Sequence, residues 1–86
     1  MYAIVYEKRV YKDLDRIPKE DLEKIAACFA ELKQNPRKPG SQKLTDEPGR
    51  HRIRKGDYRI VYIIEEQTKT IKIILVRHRK DVYKKL

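Results

Sequence analysis

Residues 52–62 read Arg-Ile-Arg-Lys-Gly-Asp-Tyr-Arg-Ile-Val-Tyr and decide the fold of this chain. Strand-forming residues flank Gly56-Asp57 on both sides. A two-residue loop that begins with glycine favours a type II′ turn, because its first position requires a positive φ. The stretch therefore predicts an antiparallel β-hairpin in which Lys55 lies opposite Tyr58, and this register fixes every following pair.

The predicted register decides which side chains share a face of the sheet. Directly opposed residues point to the same side, and neighbours along a strand alternate. One face is therefore apolar and suited to pack on helices, with Ile53, Ile60, Tyr62 and Ile64. The other face gathers three arginines, Arg52, Arg54 and Arg59.

The arginine cluster itself points to a ligand. Like charges directly opposed destabilise a sheet, so such a cluster is easier to understand where it has a task. Guanidinium groups stay charged and bind phosphates bidentately, which favours a phosphate-containing partner. The alternative is a solvated face whose arginines pair with acidic side chains, but few acidic residues follow residue 49. Val61 and Ile63 fall on the same face, which predicts that it is partly covered.

The chain before the hairpin predicts one strand and two helices. Residues 2–6 form a β-branched and aromatic run typical of a strand. Val10, Leu14 and Ile17 recur at helical spacing and predict a first helix that ends near Pro18. A second helix is predicted from apolar residues spaced three and four apart, namely Leu22, Ile25, Ala26, Phe29 and Leu32.

The remaining signals complete the topology. Asn35-Pro36 ends the second helix, since proline cannot donate to it. Residues 42–44 fit a short edge strand, residues 70–76 a last strand, and residues 80–86 a C-terminal helix. The order β-α-α-β-β-β-β-α predicts an α+β fold with a mostly antiparallel, twisted sheet covered on one face by the helical hairpin. With 86 residues, we expect a single domain over residues 1–86.

Composition narrows the class of function. The net charge is +9, and the basic excess lies almost wholly in residues 50–86, which favours a polyanionic partner such as RNA, DNA or an acidic protein segment. No window approaches the roughly 20 apolar residues of a membrane span, so we expect a cytoplasmic protein without a membrane partner. The single Cys28, in a helical pattern, predicts a buried inert thiol, and one cysteine with two histidines argues against a metal site.

A second group of candidate residues follows the last strand. Arg77, His78 and Arg79 come first, and Lys80, Tyr83 and Lys84 follow. If the last strand lies beside residues 58–64, its end can bring these groups to the rim of the arginine cluster. A tyrosine among cations can stack on a base, and histidine can carry a proton near neutral pH. The alternatives are a tyrosine that packs on the sheet and a partly exposed histidine at a strand end.

These strings resemble the RelE branch of the RelE/ParE toxin superfamily. The resemblance rests on Lys43-Leu44, on residues 52–62 and on the run His78-Arg79-Lys80-Asp81-Val82-Tyr83. The opening strand, the helical hairpin and the Asn35-Pro36 break also match, so the resemblance covers nearly the whole chain. It implies the RelE-like, microbial ribonuclease-type fold.

The resemblance also implies an activity and a set of partners. RelE-type toxins are metal-independent endoribonucleases that need no cofactor, cleave mRNA in the ribosomal A site and so inhibit translation. The chemistry is attack of a ribose 2′-OH on the neighbouring phosphate. A cognate RelB-like antitoxin neutralises the toxin, and operator DNA is bound only through the antitoxin complex.

Site residues carry over by position. The resemblance implies roles for Arg52, Arg54, Arg59, Tyr83 and one of Arg77 and Arg79. The family's best-studied pattern has lysines at the Arg52 and Arg54 positions, so arginine here argues against a lysine base. His78, Tyr83 and Lys55 are the candidates for proton transfer, and Lys55, Lys80 and Lys84 for contacts with the RNA backbone.

Three other functions remain open on the sequence. A ParE-like inhibitor of DNA gyrase would share the fold but tends to lose the basic residues and the tyrosine. A nucleic-acid-binding module without catalysis would show salt-sensitive binding alone. An inactive relative would keep only its antitoxin and DNA contacts.

Overall fold

The structure, a computed structural model, describes residues 1–44 and 49–82. Its elements follow the predicted order. They are β1 (Ala3–Tyr6), α1 (Lys8–Asp15), α2 (Lys19–Gln34), β2 (Ser41–Lys43), β3 (Arg50–Lys55), β4 (Tyr58–Glu65), β5 (Thr70–His78) and α3 (Arg79–Val82). The α+β class is confirmed. The last four residues of the predicted C-terminal helix lie outside the described residues.

The sheet has the strand order β1-β5-β4-β3-β2, with β1 parallel to β5 and the other pairs antiparallel. The predicted hairpin register is confirmed, since Lys55 lies opposite Tyr58 and Arg54 opposite Arg59. Gly56 has a φ of 58°, as the first position of a type II′ turn requires. A side chain other than hydrogen would strain the backbone at this point.

A β-bulge in β5 changes which of its side chains face the helices. Val61 lies opposite Leu75, but the next residue of β4, Tyr62, lies opposite Ile73, so Ile74 is the extra residue. Both Ile73 and Ile74 are buried. Because side chains alternate along a strand, the extra residue inverts the orientation of all later residues of β5. Arg77 therefore shares a face of the sheet with Arg59, its partner on β4.

The core lies between the helices and one face of the sheet. Its fully buried side chains come from both layers and include Val10, Ile25, Cys28, Leu32, Ile60, Tyr62, Ile71 and Ile73. The Tyr62 hydroxyl donates to the carbonyl of Pro36 at 2.6 Å, which satisfies its polar atom and anchors the loop after α2. Burial raises the pKa of the Tyr62 hydroxyl and also that of the Cys28 thiol. Cys28 is thus the buried, weakly acidic thiol that its pattern predicts.

Helix α1 continues the outer edge of β5 where β1 ends. The Glu7 N–H donates to the carbonyl of Ile73 at 2.9 Å, and the Arg9 Nε donates to the carbonyl of Ile74 at 3.0 Å. The N–H of Val76, an edge group that β1 does not reach, donates to Oδ2 of Asp13 at 3.1 Å. Side chains of α1 therefore supply the hydrogen bonds that a longer β1 would make, and Asp13 is buried for this reason. None of the helices in the described ranges is long and apolar enough to cross a membrane.

A surface cluster centred on Glu66 lies at the end of the sheet opposite the Gly56-Asp57 turn. Its carboxylate accepts from the Tyr2 hydroxyl at 2.7 Å and pairs with Arg37 at 2.6 Å and Lys69 at 3.4 Å. These three donors come from the start of the chain, the loop after α2 and the turn before β5. The hydrogen bonds from Tyr2 and then Arg37 lower the pKa of Glu66 to about 2.

This lowered pKa predicts an acid-sensitive contribution to stability. The unfolded value is about 4.3, so the cluster stabilises the fold above roughly pH 4.5 and loses its effect as the pH falls towards 2. A Glu66→Gln variant is expected to unfold at lower urea concentration than the wild type at pH 6, and the two midpoints are expected to converge as the pH approaches 2. A difference that stays constant between pH 6 and pH 2 would contradict this origin.

Candidate nucleic-acid interface

The sheet face opposite the helices carries the predicted arginines. Arg52 and Arg54 on β3 lie next to Arg59 on β4, and the bulge adds Arg77 of β5, which lies opposite Arg59. We call this surface the arginine face. Arg50 of β3, which lies opposite Ile63, falls on the same side. Three adjacent strands thus present five guanidinium groups to one side, and the register of the hairpin predicts three of them, Arg52, Arg54 and Arg59.

Two shallow clefts open on the arginine face and share Arg54. The first, of about 140 Å³, lies at the hairpin turn and is lined by Arg54, Gly56, Asp57, Tyr58, Arg59 and Arg79. The second, of about 230 Å³, lies towards the edge strand β2 and is lined by Gly40, Gln42, Arg52 and Arg54. We name them the turn cleft and the edge cleft. Because Arg54 belongs to both, the basic surface is continuous from Arg52 to Arg79.

Two of the cleft arginines, Arg54 and Arg79, carry charges that no carboxylate of the described residues pairs with. Both of these arginines are exposed. Arg52 donates to the amide oxygen of Gln42 at 2.5 Å, a bond that holds the guanidinium in place without neutralising it. This arrangement favours an anionic ligand over the alternative of a self-paired surface.

Arg77 is held differently from the other arginines. Its guanidinium pairs with Asp13 of α1 at 3.4 Å, and its side chain is only 21% exposed. Its Nε is buried without a hydrogen-bond partner among the described residues. Of the two candidates after residue 76, Arg79 is therefore the one that lines the turn cleft with Arg54 and Arg59, while Arg77 connects the arginine face to α1.

His78 lies on the other side of the sheet from the arginines. It pairs with Tyr58, whose side chain is buried against the helices, and the two rings meet edge to face at 5.2 Å. A small cleft beside it is lined by residues of α1 and β5, including Asp13, Arg16 and Arg77. The sequence predicted that the end of β5 brings His78 to the rim of the arginine cluster. That prediction assumed regular alternation of side chains along β5, and the bulge places the imidazole on the opposite face.

The remaining candidates divide in the same way. Lys55 lies opposite Tyr58 and lines a cleft with Asp21 and Lys24 on the helix side, not on the arginine face. Lys80 is exposed in α3 and follows Arg79, which lines the turn cleft. Tyr83 and Lys84 lie outside the described residues. The sequence reasoning missed Asp13 and Gln42, the two side chains that hold arginines of this face.

Val61, Ile63 and Leu75 form a partly exposed apolar strip on the arginine face. Val61 and Leu75 are direct partners across β4 and β5, next to the pair of Arg59 and Arg77. The surface therefore combines cations with apolar side chains that an apolar ligand segment can contact.

Comparison with known proteins identifies relatives by sequence and by fold. A family model described as the ParE toxin of the type II toxin–antitoxin system parDE matches residues 4–83. The toxin RelE of Mycobacterium tuberculosis is 34% identical over 88 residues, which cover 96% of this chain and 87% of that protein.

Solved structures extend the comparison. One similar chain comes from the crystal structure of an archaeal RelE–RelB complex of Pyrococcus horikoshii. It has 29% sequence identity to this chain and a TM-score of 0.80, over 91% of this chain and 94% of that chain. The isolated Escherichia coli RelE toxin has a TM-score of 0.81 at 21% identity, over 91% of this chain and 84% of that chain, and this likeness concerns the fold alone.

Proposed function

The chain belongs to the RelE/ParE toxin superfamily of type II toxin–antitoxin systems, and we propose that it is an endoribonuclease that cleaves messenger RNA in the ribosomal A site. The observation that carries the proposal is the pair of clefts that share Arg54. A single RNA strand can place neighbouring phosphates in the edge cleft and the turn cleft, with Arg54 between them.

The proposed chemistry is attack of a ribose 2′-OH on the adjacent phosphorus, with departure of the 5′-oxygen. The phosphate gains negative charge in the transition state, and fixed guanidinium donors aimed at that charge lower the barrier. Arg54, Arg59 and Arg79 line the turn cleft and are assigned this role. Arg52, held by Gln42, is assigned to the neighbouring phosphate.

Proton transfer needs a different residue type, because the pKa of arginine lies above about 12. We assign it to Tyr83, on the strength of the family resemblance. Lys80 and Lys84, on either side of Tyr83 in the sequence, are assigned to the RNA backbone. Lys55 and His78 are left out of the reacting set because their side chains belong to the helix side of the sheet.

A site without a strong base depends on accurate alignment of the substrate. Orientation of reacting groups alone can lower a barrier by several kcal/mol. The ribosome holds the message in a fixed conformation in the A site, and it is the component that we propose supplies this alignment. Free RNA is then a poor substrate.

A protein partner is also proposed for the arginine face. The solved relatives include complexes of RelE with RelB. An antitoxin segment with acidic and apolar residues can neutralise Arg54 and Arg79 and cover the strip formed by Val61 and Leu75. Such a segment excludes RNA by occupying the same surface, and operator DNA is contacted through the antitoxin.

One observation favours a second candidate function. The matching family model represents the ParE toxin of the parDE system, and ParE-type members are expected to inhibit DNA gyrase. The RelE name of the relative and the exposed guanidinium groups of Arg54 and Arg79 favour RNA cleavage instead.

The proposal is tested by adding the purified protein to intact ribosomes programmed with a defined message and mapping new 5′ ends by primer extension. We expect cuts at the A-site codon that disappear without ribosomes and with the double variant Arg54→Ala, Arg59→Ala. A folded protein that makes no cuts but blocks gyrase supercoiling would establish the second function.

A further inference from the structure

The two histidines of the chain make opposite demands on the same ring atom. Nδ1 of His51 lies 3.0 Å from the carbonyl oxygen of Gly49. A carbonyl can only accept, so this Nδ1 carries a hydrogen. Nδ1 of His78 receives a hydrogen bond from the backbone N–H of Lys80 at 3.1 Å, so this Nδ1 carries none.

The bond to His78 has the geometry of a helix cap. α3 begins at Arg79, which makes His78 the residue before the helix and Lys80 its second residue. A side-chain acceptor at this position that binds the N–H of the second helical residue is an N-cap. A contact with the buried Tyr58 holds the ring in this orientation. The two rings meet edge to face, with their centroids 5.2 Å apart and an interplanar angle of 89°.

A second bond fixes the same point of the chain on the hairpin. The N–H of Arg79 donates to the carbonyl of Asp57 at 2.6 Å. The His78 cap and the Asp57 bond together hold the first turn of α3 against the turn cleft, which the Arg79 side chain lines. His78 thus acts on the arginine face through the backbone, although its ring lies on the opposite side of the sheet.

We propose that neutral His78 is a positioning residue that caps α3 and keeps Arg79 in the turn cleft, and that protonation of His78 releases this helix. A proton on Nδ1 replaces the acceptor by a donor that faces the Lys80 N–H. It also places a positive charge at a helix N-terminus, where cations are unfavourable.

Charged groups around the ring set the conditions for this switch. Asp13 of α1 and Arg16, the residue that follows α1, line the cleft beside the ring. Arg77 comes from β5 and Lys80 from α3, and Asp57 lies at the hairpin turn. Tyr58 faces the ring from β4. Asp13 is already paired with Arg77, which limits its ability to hold a protonated His78 in place.

His51 provides an internal control. When it is protonated, the added hydrogen goes to Nε2, and the bond from Nδ1 to Gly49 remains. Protonation therefore preserves the Nδ1 bond of His51 but removes the Nδ1 bond of His78. Non-specific acid destabilisation of the fold would instead disturb the Nδ1 hydrogen bonds of both histidines.

Nuclear magnetic resonance tests the cap without any assay of cleavage. At pH 7.5 we expect the hydrogen of the His78 ring on Nε2 and that of the His51 ring on Nδ1. The Lys80 amide resonance is expected to shift with the same midpoint as the His78 ring, and this shift is expected to vanish in a His78→Asn variant, because asparagine caps helices but does not titrate. A neutral His78 that carries its hydrogen on Nδ1, or a Lys80 amide that ignores the titration, would overturn the proposal.

Cleavage in programmed ribosomes tests the effect on the site, and this arm rests on the proposed function. Relative to His78→Asn, the wild type is expected to lose about two- to fivefold in rate between pH 7.5 and pH 6.0, the change that loss of one cap produces in a local equilibrium. At pH 7.5, His78→Ala is expected to be slower than His78→Asn. Equal loss of activity in both variants would identify His78 as a proton carrier and overturn the positioning role. If no variant cleaves RNA, the proposed function fails, while the resonance experiment still decides the cap.

Discussion

Replacement of Arg54 by alanine is expected to lower the rate of A-site cleavage by about 100-fold or more. Arg54 is the residue that both clefts share, so its loss interrupts the basic surface at its centre. Removal of one preorganised donor from a developing negative charge typically costs a factor of about 10² to 10³ in rate. The measurement is the rate at which the A-site product appears in programmed ribosomes at saturating toxin.

The same substitution is expected to leave the fold unharmed. Arg54 is exposed and lies opposite Arg59, so its removal relieves a repulsion between like charges. The melting temperature is therefore expected to stay equal or to rise. Opposite changes in stability and activity would separate a functional role from a structural one.

Matched variants sharpen the test. Arg37→Ala removes the same charge from the Glu66 cluster, and Arg37 lines neither cleft, so this variant is expected to leave the cleavage rate unchanged. Arg54→Lys keeps the charge but loses the bidentate fork, and is expected to lie between the wild type and Arg54→Ala. Full cleavage by Arg54→Ala would remove the arginine face from the mechanism.

The hairpin was predictable because its determinants are local. Gly56 at the first loop position fixes the turn, the turn fixes the register, and the register alone places Arg54 and Arg59 on one face. None of these steps requires knowledge of the rest of the chain. The C-terminal end of α2 was predictable for the same reason, since Asn35-Pro36 acts on its own neighbours.

The end of β5 was not predictable in this way. The run Ile71-Lys72-Ile73-Ile74-Leu75 is apolar at adjacent positions, so alternation does not reveal where an extra residue is inserted. The bulge at Ile74 depends on packing against α1 and on the pairing with Val61 and Tyr62. Its position decides that Arg77 joins the arginine face and that His78 leaves it.

Asp13 left a signal that periodicity alone could have detected. Val10, Leu14 and Ile17 define the apolar stripe of the first helix, and a residue three positions after Val10 falls on the same stripe. A carboxylate at that position is either exposed by distortion or buried with partners. The structure gives it two partners, the N–H of Val76 and the guanidinium of Arg77.

Asp13→Ala is accordingly expected to destabilise the fold by about 3 kcal/mol, a large part of the stability of a small domain. The substitution leaves the N–H of Val76 without its acceptor and Arg77 without its counter-ion. The Nε of Arg77 already lacks a hydrogen-bond partner among the described residues, so the guanidinium loses its main compensation. The partial exposure of Arg77 keeps the expected cost at the lower end of the range for buried ion pairs. Urea unfolding at pH 7 gives the free energy directly.

Two further variants separate the roles of Asp13. Asp13→Asn keeps an acceptor for Val76 but loses the charge, so it is expected to cost less than Asp13→Ala. Asp15→Ala, an exposed carboxylate on the same helix, is expected to change stability by no more than about 0.5 kcal/mol. If Asp13→Ala is as mild as Asp15→Ala, the edge of β5 is not held by Asp13. A large loss in Asp13→Ala that an added Arg77→Met partly restores would instead locate the cost in the uncompensated guanidinium, because the second change removes the charge that the first one strands.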